Sequence, residues 1–167
     1  MKKAISILSI ISVVLAVSSL LLAIGFLSVF WEPMCLRFSP SREMVEAGPI
    51  IPIGDMVYLV GCLVVAVIIC VCTKSNKNIV IEIISIVLLG VVLPLLAWHI
   101  SKEQTAEIAQ NMEVYKLAAL TAAKSMSNSA RGLMNVSATL CLVVCGMGIS
   151  EKVILKKDQP NTNQTVG

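Results

Sequence analysis

The residues from Ala4 to Trp31 form a long segment that is mostly apolar and has no charged side chain. A helix needs about 20 such residues to cross the hydrocarbon core of a bilayer. Three more apolar segments follow at residues 56–73, 79–99 and 132–150. Only 14% of the chain is charged, against about a quarter in soluble domains. We therefore predict an all-α integral membrane bundle with four transmembrane helices and an external helical extension before the fourth span.

The segments between the spans differ in character. Residues 32–55 contain four prolines, which favour turns over helix. Residues 100–131 contain no proline and are rich in good helix formers. The predicted order is the amino terminus and first span in 1–31, an external Pro-rich loop in 32–55, the second span in 56–73, a short cytoplasmic loop in 74–78, the third span in 79–99, an external amphipathic helix in 100–131, the fourth span in 132–150 and a cytoplasmic tail in 151–167.

The basic residues near the ends of the spans predict an orientation. Seven lysines fall on the side of the amino terminus, and six Lys or Arg residues fall on the other side. The short loop 74–78 carries Lys74 and Lys77 and no acid. We therefore predict a plasma-membrane protein with both termini in the cytoplasm. The alternative is three spans with residues 132–150 left at the surface, but Leu140–Val144 is too apolar to remain in water.

Apolar and small residues recur in steps of four and three along the second external segment. This spacing is typical of a heptad seam on an α-helix. We predict one helix that leaves the bilayer at Ser101 and runs on into the fourth span. Its seam contacts another protein or packs on residues 48–54 of the same chain, and the sequence leaves both open. The candidate interaction face consists of Ile108, Met112, Tyr115, Ala119, Ala122 and Met126.

Glu82 is the only ionisable residue well inside a predicted span. An intramembrane carboxylate is by default a candidate functional site. Glu82 lies in the first turn of the third span, where headgroups and the positive end of the helix dipole stabilise a carboxylate. We therefore favour a structural role for Glu82, with Lys74 or Lys77 as its partner in an ion pair.

Small residues form two further patterns that predict helix packing. The first is Ser12, Ala16, Ser19 and Ala23, and the second is Ala138, Cys141, Cys145 and Gly148. Side chains of this size let two helices approach closely in lipid. Asp55, at the start of the second span, is predicted to cap that helix, since Asp is common at N-caps.

The sequence argues against most kinds of catalysis. It has no phosphate-binding glycine loop, dinucleotide fingerprint, nucleophile elbow or zinc-protease motif. With one histidine, we expect no metal and no cofactor. The basic residues lie at segment ends and form no clustered face, so we expect no nucleic acid among its partners.

The predicted function is that of a non-enzymatic interaction protein or accessory subunit in the lipid bilayer. Its partner is another membrane protein or a second copy of the chain, contacted through the external helix. The alternative is a small oligomeric channel or transporter, with the polar residues Glu82, Ser85 and Asn135 near the pore.

Overall fold

The structure, a computed structural model, describes residues 2–31, 48–75 and 79–157. These residues form four helices, each long and apolar enough to cross a membrane. We number them α1 to α4, and their bounds are Lys2–Val29, Ile53–Ser75, Ile79–Gln110 and Val114–Lys157. The predicted all-α class with four membrane-length helices is confirmed. The second, third and fourth helices are longer than the spans predicted within them.

The helices run alternately up and down, so both chain ends lie at one end of the bundle. Helix α1 packs antiparallel on α4, and hydrogen bonds join Ser12 to Ser137 and Ser19 to Ala130. The two predicted seams of small residues are buried, and hydrogen-bonded contacts of Ser12 with Ser137 and Cys141 join them. The packing prediction is therefore confirmed. We call the two ends of the bundle the termini end and the hairpin end, the latter being where α3 turns into α4.

Helix α3 changes its winding next to its only proline. Residues Leu88–Val92 form a π-helical turn, and the N–H of Leu93 donates to the carbonyl of Leu88, five residues earlier. Pro94 lacks an N–H and its ring crowds the carbonyl of Gly90, so a wider turn accommodates it. Beyond this turn α3 packs closely on α2, where a Cβ added to Gly61 would lie 2.5 Å from a methyl group of Leu93.

A helical hairpin replaces the single external helix that the sequence predicts. Helix α3 continues to Gln110, and α4 begins at Val114. Between them Met112 has φ +52°, and the N–H groups of Met112 and Glu113 donate to the carbonyls of Ala109 and Ile108. This is the Schellman arrangement that ends many helices. The prediction of one unbroken helix from Ser101 is therefore wrong, although α4 does run without a break into the fourth span.

The start of α2 also differs from the prediction. The helix begins at Ile53, and Asp55 lies inside its first turn. The N–H of Ile53 donates to Oε1 of Gln104, at 3.2 Å, so α3 supplies this cap. The predicted capping role of Asp55 is wrong, because its carboxylate contacts α4 instead. Most of the predicted Pro-rich loop, residues 32–47, lies outside the described residues.

Candidate functional site

Two ion pairs lie near opposite ends of α4. Lys152 pairs with Glu82 at the termini end, and Arg131 pairs with Asp55 at the hairpin end. The 21 residues from Arg131 to Lys152 span about 31 Å of helix. The hydrocarbon core of a bilayer is about 30 Å thick. The two pairs therefore lie where a spanning helix would meet the two headgroup layers.

The ion pair at the termini end is the more buried one. Nζ of Lys152 lies 2.8 Å from Oε1 of Glu82, and their side chains are 24% and 12% exposed. The Glu82 carboxylate rests against Gly148, where an added Cβ would overlap it. Ser85, one turn further along α3, is also buried. Glu82 thus joins α3 to α4, and its partner is Lys152, since the side chains of Lys74 and Lys77 lie outside the described residues.

The ion pair at the hairpin end belongs to a larger polar cluster. The Asp55 carboxylate is 6% exposed and lies 3.3 Å from Nη1 of Arg131, which is 48% exposed. The buried hydroxyl of Ser127 donates to the other Asp55 oxygen at 2.6 Å. One turn below, the hydroxyl of Tyr58 donates to Oδ1 of Asn135 at 2.8 Å. The cluster ties the starts of α2 and of the spanning part of α4 together.

An open cavity of about 310 Å³ lies beside this cluster. We call it the interhelical groove, because α3 and α4 form its walls and α2 forms its floor. Its size is at the lower end of the range for small-molecule sites. The rim includes Trp98, which is 62% exposed, and Nζ of Lys102 lies 5.4 Å from the centre of that ring. The lining residues are Asp55, Tyr58, Pro94, Ala97, Trp98, Ser101, Arg131 and Asn135.

The predicted interaction face is divided between the inside and the outside of the hairpin. Ala119 is fully buried with Leu27 and Trp31 of α1, and Ala122 and Met126 pack against that cluster together with Ile50. Ile108 is half-buried. At the tip, Met112 is 87% exposed and Tyr115 is 39% exposed. The structure therefore does not bring these six residues together on one free surface.

The outward side of α4 was not singled out in the sequence, and it differs from the outward sides of the other helices. Within the spanning part it carries Gly132, Asn135, Thr139, Gly146 and Ser150, all exposed. Its only exposed large apolar residues between the two ion pairs are Val136 and Val143. The outward side of α1 instead carries large apolar residues: Ile7, Ile10, Ile11, Val14, Val17, Leu21 and Ile24.

At the tip the same side of α4 has the opposite character. Val114, the first residue of α4, is 75% exposed, next to the exposed Met112. Ala118, Thr121, Ser125 and Ser129 continue this exposed side towards Gly132. Close to the tip, Nζ of Lys116 lies 2.6 Å from a carboxylate oxygen of Glu113, and that hydrogen bond raises the pKa of the Lys116 ammonium. We call this continuous surface, from Val114 to Ser150, the outward face of α4.

The remaining candidate residues show no grouping that could bind a metal. Nδ1 of His99 lies 3.5 Å from Glu103, and both side chains are largely exposed. Cys62, Cys141 and Cys145 are buried as free thiols. Among the described residues, no three His, Cys, Asp or Glu side chains are placed to hold a metal ion.

Comparisons with known proteins find no relative of the chain: no family model, no curated protein and no solved structure matches it.

Proposed function

We propose that the protein is a non-enzymatic interaction protein of the membrane, and that it works as a pair of identical chains joined along the outward face of α4. The observation that carries this proposal is the polarity of that face. It presents small and polar residues such as Gly132 and Thr139 over the length that lipid would cover. It presents the apolar side chains of Met112 and Val114 where water would cover it. Neither solvent suits the residues that meet it.

A second helix suits both parts of the face. In lipid, small residues allow close approach of two helices, and van der Waals contact then drives association. Beyond the lipid, burying Met112 and Val114 removes apolar surface from water. One partner helix that follows α4 along its length satisfies both conditions.

A second copy of the chain is the partner that the spacing favours. Gly132, Thr139 and Gly146 lie seven residues apart. Two copies in the same membrane orientation present these residues at the same heights, so a parallel α4 pair brings small residues together at each level. Such an interface is symmetric and closes at two chains.

The test compares two glycines that both face outward. A Cβ added to Gly146 on α4 or to Gly90 on α3 meets nothing within 4 Å in the single chain. We expect Gly146→Leu to weaken association at least about tenfold, through lost close packing. Gly90→Leu should leave it unchanged. Energy transfer between labelled chains in liposomes, measured over a range of protein-to-lipid ratios, gives both constants. Equal association of the two variants would contradict the proposal.

We further propose a plasma-membrane location with both termini in the cytoplasm. The basic residues at the termini end, including Lys2, Lys3 and Lys152, support this orientation. The exposed Met112 marks the hairpin end. Met112→Cys should react with an impermeant maleimide on intact cells, and Lys3→Cys should react only after lysis. The reverse pattern would invert the orientation.

The channel alternative gains no support from the described residues. Glu82 is neutralised by Lys152 inside the bundle, and Ser85 is buried. Neither side chain lines an open path within one chain.

A further inference from the structure

The interhelical groove is lined by polar groups whose remaining hydrogen-bonding capacity is mostly that of donors. Both oxygens of Asp55 already accept, one from Ser127 and the other facing Arg131. Oδ1 of Asn135 already accepts from Tyr58. The acceptors of the lining are thus largely used within the protein.

The donors are not. The Arg131 guanidinium carries five N–H groups, and within the described residues its only ion-pair contact is from Nη1 to Asp55, at 3.3 Å. The side-chain amide nitrogen of Asn135 has no hydrogen-bond partner among those residues. A ligand that complements such a lining is an acceptor, and a guanidinium binds planar or tetrahedral oxyanions best.

The depth of the groove points to the source of that oxyanion. Arg131 lies about 31 Å along α4 from Lys152, at the level of the headgroups. The groove lies between α3 and α4 with α2 as its floor. Trp98 lies at its rim, as aromatic side chains commonly do at the membrane interface. Pro94 and Ala97 add an apolar wall against which an acyl chain can lie.

We propose that the interhelical groove binds the phosphate group of an acidic phospholipid from the adjoining leaflet. The Arg131 guanidinium donates to the phosphate oxygens, and the Asn135 amide donates beside it. The Asp55 carboxylate holds Arg131 in place, and Lys102 adds a second positive charge near the rim. The inference rests on the membrane placement proposed above. It does not depend on the pairing of two chains.

The two tryptophans of the chain allow a direct test. Trp31 is 5% exposed and Trp98 is 62% exposed, so Trp31→Phe leaves the groove tryptophan as the only reporter. This variant is reconstituted in phosphatidylcholine vesicles that contain either brominated phosphatidylglycerol or, at the same mole fraction, brominated phosphatidylcholine. We expect the brominated acidic lipid to quench Trp98 more strongly, which shows its enrichment at the groove.

Arg131→Gln in this background should lower the preference for the acidic lipid about fivefold, the effect of one interfacial positive charge. Lys116→Gln is the matched control, because Lys116 is a cation at the same end of the bundle that pairs with Glu113 and does not line the groove. It should keep the preference of the parent. An unchanged preference in Arg131→Gln, or an equal loss in Lys116→Gln, would overturn the proposal.

Two further measurements remove ambiguity. Since Arg131→Gln leaves Asp55 unpaired, the double variant Asp55→Asn with Arg131→Gln removes both charges and should also lose the preference; if it keeps the preference, the proposal is wrong. Added glycerophosphate or inorganic phosphate should not relieve the quenching. Relief at millimolar concentration would assign the site to soluble phosphates and contradict a lipid ligand. A Gly146→Leu chain should keep its lipid preference, which separates this result from the pairing of two chains.

Discussion

The inward and outward faces of α4 carry the same kinds of residue in opposite surroundings. On the inward face, Ser137 and Gly148 are buried against α1 and Glu82. On the outward face, Thr139 and Gly146 are exposed, and a Cβ added at Gly146 would touch nothing. The fold of one chain explains the first pair of residues and leaves the second pair without a packing role. A small residue therefore reports a close contact only when the structure shows its partner.

The largest expected difference between the two faces comes from their glycines. In Gly148→Leu the new side chain displaces the Glu82 carboxylate and breaks its pair with Lys152. We expect a loss of about 3 kcal/mol in the free energy of unfolding, from overpacking and an unpaired buried charge. Gly146→Leu should slightly stabilise the isolated chain, by about 0.5 kcal/mol, because Leu favours helix. Unfolding in mixed micelles at monomer concentrations measures both, and similar losses would erase the distinction between the faces.

A smaller difference is expected between two hydroxyl residues. The Ser137 hydroxyl donates across the interface to the carbonyl of Ser12 at 2.6 Å, whereas the Thr139 hydroxyl donates to the carbonyl of Asn135 in its own helix. Ser137→Ala should cost about 1 kcal/mol, as hydrogen bonds between membrane helices do. Thr139→Val, which keeps the shape, should cost about 0 kcal/mol, since it loses only a local bond. The same unfolding assay decides, and an equal cost would show that the inward bond adds nothing.

Much of the bundle is predictable from the sequence because length and apolar composition determine which segments can span a bilayer. The inward seam from Ala138 to Gly148 is predictable as well, since small residues recur there at helical spacing. The end of α3 is not. Met112 adopts the left-handed conformation at the position where helices usually place Gly or Asn, so the residue that ends the helix gives no signal.

The candidate sites depend on contacts between distant segments. Asp55 and Arg131 are far apart in sequence, as are Glu82 and Lys152, and nothing in the local pattern pairs them. The predicted heptad face also lies one residue away from the buried one. It uses Ala122 and Met126, whereas Ala123 and Ser127 are the buried residues. Shifting a pattern by one position rotates it by about 100° on a helix, which is enough to exchange a packed surface for a free one.

Cross-linking along α4 in membranes tests the proposed pairing most directly. In a chain whose native cysteines are replaced by alanine, single cysteines are introduced one at a time from position 132 to position 146 and oxidised. The account predicts covalent dimers with maxima at 132, 139 and 146, which face outward, and little product at 134, 137 and 141, which are buried. Absence of dimer at every outward position, or equal yields at all positions, would contradict it.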